Sequence, residues 1–158
     1  MKRLDNRDIR ADRDAIRAAL DGPERPIKLE IIHFSNDRIL PDTRPHLFPV
    51  PCISPEGCFA TKLTANADRY ASSIKDILDL CMMRREWGDI PPTAWEFACE
   101  EYGENVILSG LRKALLLLNA NHEANLNTAT RSLHIDPGLA KELIKELAPS
   151  WLAELPKP

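Results

Sequence analysis

The sequence has no long apolar run. Nowhere does it approach the roughly 20 consecutive apolar residues that span a bilayer, and Met1-Lys2-Arg3-Leu4-Asp5 carries charge where a secretory leader needs an apolar stretch. The expectation is a cytoplasmic protein without a membrane partner. An excess of basic charge is also missing: 21 Lys and Arg against 24 Asp and Glu leave a formal net charge of -3. That argues against a large unaided nucleic-acid footprint and leaves room only for a local basic patch. The four cysteines, Cys52, Cys58, Cys81 and Cys99, form no C-x-x-C pair. Buried free thiols are therefore expected over a disulfide or a zinc site.

What is present is an ordinary globular composition, 44% hydrophobic and 28% charged over 158 residues, which suits one domain. Five of the thirteen prolines fall between Pro41 and Pro55, dividing a β-rich head, residues 1–50, from a helical region, residues 54–150. In the head, Ile27-Lys28-Leu29-Glu30-Ile31-Ile32-His33-Phe34 is β-branched and aromatic and bounded by Pro26 and Ser35-Asn36-Asp37, the marks of a strand. Asp21-Gly22 upstream is a turn signal, so Asp14 to Leu20 is expected to pair with that strand as a hairpin. Its Ala-rich composition favours helix, but an isolated strand leaves its backbone groups unpaired, and a neighbour across a D-G turn satisfies them most readily.

Past the prolines, Ser54-Pro55-Glu56 reads as N-cap, first helical residue and first-turn acid of a helix running to about Tyr70. Phe59, Leu63, Ala67 and Tyr70 form its apolar stripe, and Lys62, Asn66 and Arg69 share another side, open to a ligand. Ser72 or Ser73 is expected to cap a second helix from Ile74 to about Met83. Thr93-Ala94-Trp95-Glu96 has the capping-box pattern for a third helix. A fourth should cover Asn105 to Asn119, followed by an asparagine-rich link, loop or frayed helix, to Asn127. Asp136-Pro137 caps a last helix that Pro149 stops. The fold class is α+β: a hairpin leading into a helical bundle.

Alternation places Lys28, Glu30, Ile32 and Phe34 on one strand face and Leu29, Ile31 and His33 on the other. Glu30 is either a satisfied cross-strand ion pair or a metal-binding acid. His33 reads as a hydrogen-bonded core histidine. Lys62 and Arg69 supply the point charge and planar fork that grip a polyphosphate, and Asp76 and Asp79 on the next helix can orient them. The same spacing also fits plain surface pairs such as Arg69 with Asp76.

Ile27-Lys28-Leu29-Glu30-Ile31-Ile32, then Lys62-Leu63-Thr64-Ala65-Asn66-Ala67-Asp68-Arg69, then Lys75-Asp76-Ile77-Leu78-Asp79-Leu80, in that order, resemble the central and C-terminal part of the AbiEii/AbiGii-type nucleotidyltransferases, toxins of type IV toxin–antitoxin and phage-defence systems of bacteria. The resemblance implies an α/β nucleotidyltransferase-like core that transfers a nucleotide from an NTP, with Mg2+, to an acceptor such as tRNA. It implies Glu30 as a metal-associated carboxylate, Lys62 and Asp76 as catalytic residues, Lys62, Asn66, Arg69 and Lys28 as nucleotide contacts, and Asp79 in support. Lys62, Asn66, Arg69 and Asp76 should converge on one surface, with Glu30 facing the same hollow.

The family's glycine turn followed by Ser or Thr and D-x-D has no counterpart here: no glycine is followed by glycine or serine, and Asp12-Arg13-Asp14 stands without such a turn. The expectation is a truncated member with little or no transfer activity. The alternative reading is a non-enzymatic module that binds an antitoxin-like protein or RNA.

Overall fold

The computed structural model describes residues 9–13, 15–20, 26–32, 41–42 and 52–156. The chain divides into two compact units, Met1–Ile39 and Leu40–Pro158.

The first unit is an antiparallel sheet in the order β1 (Ile9–Ala11), β2 (Ala15–Leu20), β3 (Ile27–Ile32). Strand β2 pairs along its whole length, Ala15 opposite Ile32 through Leu20 opposite Ile27, so ladder pairing overrides the helical propensity of its alanines, as expected. Asp21-Gly22, Asp14 and His33 lie outside the described residues. The sequence did not announce β1, which the Asp12 turn adds. Asp12 N–H donates to the Ala15 carbonyl at 2.9 Å, and the Ala15 N–H donates to Asp12 Oδ1 at 2.8 Å. Residues directly opposite share a face, so Ile9, Ala18 and Leu29 line one side and Arg10, Arg17 and Glu30 the other.

In the second unit β4 (Pro41–Asp42) pairs with β5 (Cys52–Ile53), and helices follow. Helix α1 (Pro55–Arg69) starts as its cap predicts: Ser54 Oγ accepts from the Gly57 N–H at 3.1 Å. Helix α2 (Lys75–Trp87) runs past Met83 until Gly88, whose φ of 90° ends it. Ile74, not Ser72 or Ser73, is its N-cap, although Ser73 Oγ does accept from the Lys75 N–H at 3.2 Å. The Thr93 capping box does not form. Helix α3 (Pro92–Tyr102) begins two residues before the start that cap implies, without a side-chain cap, because Pro91 holds extended backbone and Pro92 supplies the preset first turn. Helix α4 (Glu104–Ala120) matches its expected span within one residue at each end.

In the tail one open alternative is decided and one expectation fails. The asparagine-rich link takes the helical alternative: α5 (His122–Asn127) leads into a π turn over Thr128–Ser132. Asn125 anchors it by donating from Nδ2 to the Leu117 and Leu118 carbonyls, both at 3.0 Å, which satisfies orphan acceptors at the end of α4. Pro149 does not stop the last helix. Asp136 caps α6 (Pro137–Glu142) as read, a π turn over Leu143–Leu147 follows, and α7 (Ala148–Glu154) continues through the proline. The π turn restarts the hydrogen-bond ladder, so Pro149 occupies a first-turn position whose N–H would have no α-helical partner.

The core of this unit joins Phe59 and Leu63 of α1, Ile77 and Leu80 of α2, Leu111 and Leu115 of α4, and Leu143 and Ile144 of the second π turn. Helices α1 and α4 pack closely at Gly110, where an added Cβ would lie 2.9 Å from Ala67 Cα. Cys58, Cys81 and Cys99 are free thiols, and burial pushes the Cys81 thiol up to about 12.

Candidate functional site

Lys62, Asn66 and Arg69 recur at helical spacing on α1, and residues 70–74 turn the chain back so that the first turn of α2 faces them. The carboxylate of Asp76 occupies the angle between the helices, 1% exposed. It accepts from Lys62 Nζ at 3.0 Å and from Arg69 through Nε at 2.5 Å and a terminal nitrogen at 3.0 Å. Lys62 Nζ also lies 2.5 Å from Asp79. The cations are more open than the acid they clamp: the Lys62 side chain is 28% exposed and that of Arg69 is 54%.

Burial opposes ionisation of Asp76, yet hydrogen bonds from Arg69 and Lys62 outweigh it and hold the carboxyl below its usual range. Burial likewise opposes the Lys62 charge, and the hydrogen bonds to Asp79 and Asp76 outweigh it, raising the ammonium pKa. The hydrogen bond to Asp76 raises that of the Arg69 guanidinium. All three groups are thus charged at neutral pH, and the acid fixes where the two cations sit. Outside this knot, Tyr102 donates to Asp68 Oδ2 at 2.7 Å.

Of the residues expected to converge, Lys62, Arg69, Asp76 and Asp79 do. Asn66 does not share their open side: it is fully buried, and neither amide atom has a hydrogen-bond partner among the described residues. Helix α4 closes over this part of α1, which the spacing of 62, 66 and 69 cannot reveal. Glu30 and Lys28 belong to the other unit. There Glu30 lies 2.9 Å from Lys28 Nζ and 3.3 Å from Arg17 Nε, and Arg17 in turn reaches Asp12 at 2.6 Å. The cross-strand ion-pair reading of Glu30 is therefore realised, with Arg17 directly opposite it in register. Chiefly the hydrogen bond from Lys28 lowers its pKa.

A family model described as the nucleotidyl transferase AbiEii toxin of the type IV toxin–antitoxin system matches residues 3–156. The chain belongs to the AbiEii nucleotidyl transferase toxin family. No curated protein and no solved structure matches it. The α+β architecture, a sheet followed by helices, agrees with the fold class expected of this AbiEii chain. Among its described residues no helix is long and apolar enough to cross a membrane.

Mg2+ is the ion that nucleotidyl transfer ordinarily employs. Among the described residues no three Asp, Glu, His or Cys side chains gather in one place. The two carboxylates nearest each other in the knot, Asp76 and Asp79, are engaged by Lys62 and Arg69.

The sequence reading missed a pocket of about 340 Å³ beside this knot. It is lined by the α1–α2 link together with Leu117, Asn121, Asn125, Thr128 and Leu133. The asparagine run was its only sequence signal.

Proposed function

We propose that this AbiEii chain binds the triphosphate of an NTP through Lys62 and Arg69 and serves nucleotide transfer to an acceptor such as tRNA. In such a transfer an acceptor oxygen attacks the α-phosphorus, the bond from that phosphorus to the bridging oxygen breaks, and pyrophosphate leaves. The obstacle is negative charge on the phosphate oxygens, which positioned cations offset. One observation carries the reading: a buried carboxylate, Asp76, clamps two half-open cations from the neighbouring helix. Asp76 then acts as the positioning residue, and Asp79 tethers the Lys62 ammonium until phosphate replaces it. Because the chain lacks the Gly-turn D-x-D motif and the described carboxylates offer no metal cluster, it binds nucleotide while transferring little or none by itself. Its membership of a toxin family supports an antitoxin protein as partner.

The test is to incubate the purified chain with labelled NTPs, Mg2+ or Mn2+ and bulk tRNA, measuring binding and transfer together. Binding by the wild type that Lys62→Ala and Arg69→Ala each weaken about tenfold or more is expected, with transfer near background. Absence of NTP binding would remove the site. Transfer that Lys62→Ala and Asp76→Ala abolish would keep the site and overturn the low activity.

A further inference from the structure

The ion knot and the pocket share one stretch of chain. Arg69 ends α1, Asp76 lies in the first turn of α2, and residues 70–75, which join them, all line the pocket. The pocket lining thus begins one residue along the chain from Arg69, at Tyr70, and one residue before Asp76, at Lys75. The pocket volume is at the small end of ligand sites, which suits one nucleoside and excludes an oligonucleotide.

The lining has the mixed chemistry of a site for a flat polar heterocycle. Tyr70 brings an aromatic ring, and Leu117 and Leu133 bring apolar surface. Ser73, Asn121 and Thr128 bring short hydrogen-bonding groups, and no acidic residue takes part. Asn125 has its amide nitrogen committed to the Leu117 and Leu118 carbonyls. That pins the side chain in the pocket wall, and an amide oxygen is the kind of group that accepts from an exocyclic amine.

We infer that this pocket receives the base and sugar of the NTP whose triphosphate lies on Lys62 and Arg69. The inference rests on the phosphate reading above and extends it to a second contact, from the α1–α2 link, the end of α4 and α5. Stacking on an aromatic ring is tolerant of base identity, and selectivity among bases falls to Asn121 and Asn125.

The experiment compares two probes on the intact chain: an NTP, which has a base, and inorganic tripolyphosphate, which has none. Asn121→Trp and Thr128→Trp fill the pocket from exposed positions outside the ion knot. Each is expected to weaken NTP binding roughly tenfold and to leave tripolyphosphate binding unchanged, while Lys62→Ala weakens both. A measurement on the wild type needs no variant: the side-chain amide resonances of Asn121 and Asn125 should shift with NTP and not with tripolyphosphate. Equal affinity of the wild type for the two probes, or NTP binding and amide resonances indifferent to the pocket, would overturn the base site and leave the phosphate site standing. Failure of both probes to bind would overturn the two together.

Discussion

Arg69 donates two hydrogen bonds to Asp76, at 2.5 and 3.0 Å, although the Arg69 side chain is 54% exposed and that of Asp76 1%. The pair is asymmetric. An Arg that loses its acid can turn to water, whereas an acid that loses its Arg stays buried with Lys62 as its remaining cation. Removing one partner of a buried pair is costly chiefly because of the charge left behind. Arg69→Ala is therefore expected to cost about 2 kcal/mol, less than a fully buried pair because Lys62 still compensates. In the Arg69→Ala, Asp76→Ala double variant no buried charge is left, so the total should fall short of the sum of the singles by about 1–2 kcal/mol. Urea unfolding of the four proteins measures this, and strictly additive losses would refute the asymmetry.

The same carboxylate sets a pH dependence. Its pKa in the folded chain is below that of the unfolded chain, about 3.9, so its contribution is fully present above the unfolded value and is lost as pH falls through the folded one. Glu30 and Glu154 shift the same way, but both are solvent-accessible and contribute little. The urea midpoint of the wild type should drop more steeply than that of Asp76→Asn between about pH 5 and pH 2. Parallel curves for the two proteins would show that Asp76 adds nothing to acid stability.

Cys81 is expected to be silent in the folded protein, since it is fully buried with its thiol pushed up to about 12 and the thiolate is the reactive form. Ellman titration should find all four thiols in urea and a slow or absent one in buffer. Cys81→Ser should leave the fast phase unchanged; loss of fast amplitude in that variant would place Cys81 at an accessible site.

Much of this arrangement was legible because it is local. Ser54 and Pro55 start α1 by a cap, the need of strand Ile27–Ile32 for a partner favoured the β2–β3 ladder against alanine's preference, and helical spacing put Lys62 and Arg69 on one side of α1. Periodicity does not report what packs against a helix, and there the sequence reading failed. It grouped Asn66 with the two cations, whereas α4 approaches at neighbouring Ala67 because Gly110 lacks a side chain. It ended the last helix at Pro149, a rule that holds only while the α ladder is continuous. It left residues 119–127 open because asparagine's helical role here, capping the end of α4 through Asn125, is a tertiary contact.

Gly110 itself gives a prediction with two opposing terms. Alanine in place of glycine within a helix gains about 1 kcal/mol of propensity. The new Cβ would meet the Ala67 Cα at 2.9 Å and its Cβ at 3.3 Å; the first is a backbone atom, so α1 and α4 must separate. Overpacking of that kind costs about 1–3 kcal/mol, so Gly110→Ala should be destabilising by about 1 kcal/mol, read from the thermal midpoint. A stabilised variant would show that the helices are not in contact there.

Asn66 yields the last prediction, because its buried amide runs against stability. Both polar atoms are out of water without a partner, a burden of about 1–3 kcal/mol. Asn66→Ala removes it and gains a further half kcal/mol or so of helix propensity. Against this stands a cavity of a few tens of Å³, which at about 24 cal/mol per Å³ costs about 1 kcal/mol. The balance favours a variant more stable than the wild type by about 1 kcal/mol, measured by urea unfolding. Residues kept at the expense of stability mark functional sites, and Asn66 lies one turn from each cation of the knot. The stabilised variant is accordingly expected to bind NTP at least several-fold more weakly. A variant that gains stability and keeps full NTP affinity would separate Asn66 from the site, and one that loses stability would mean the amide has partners after all.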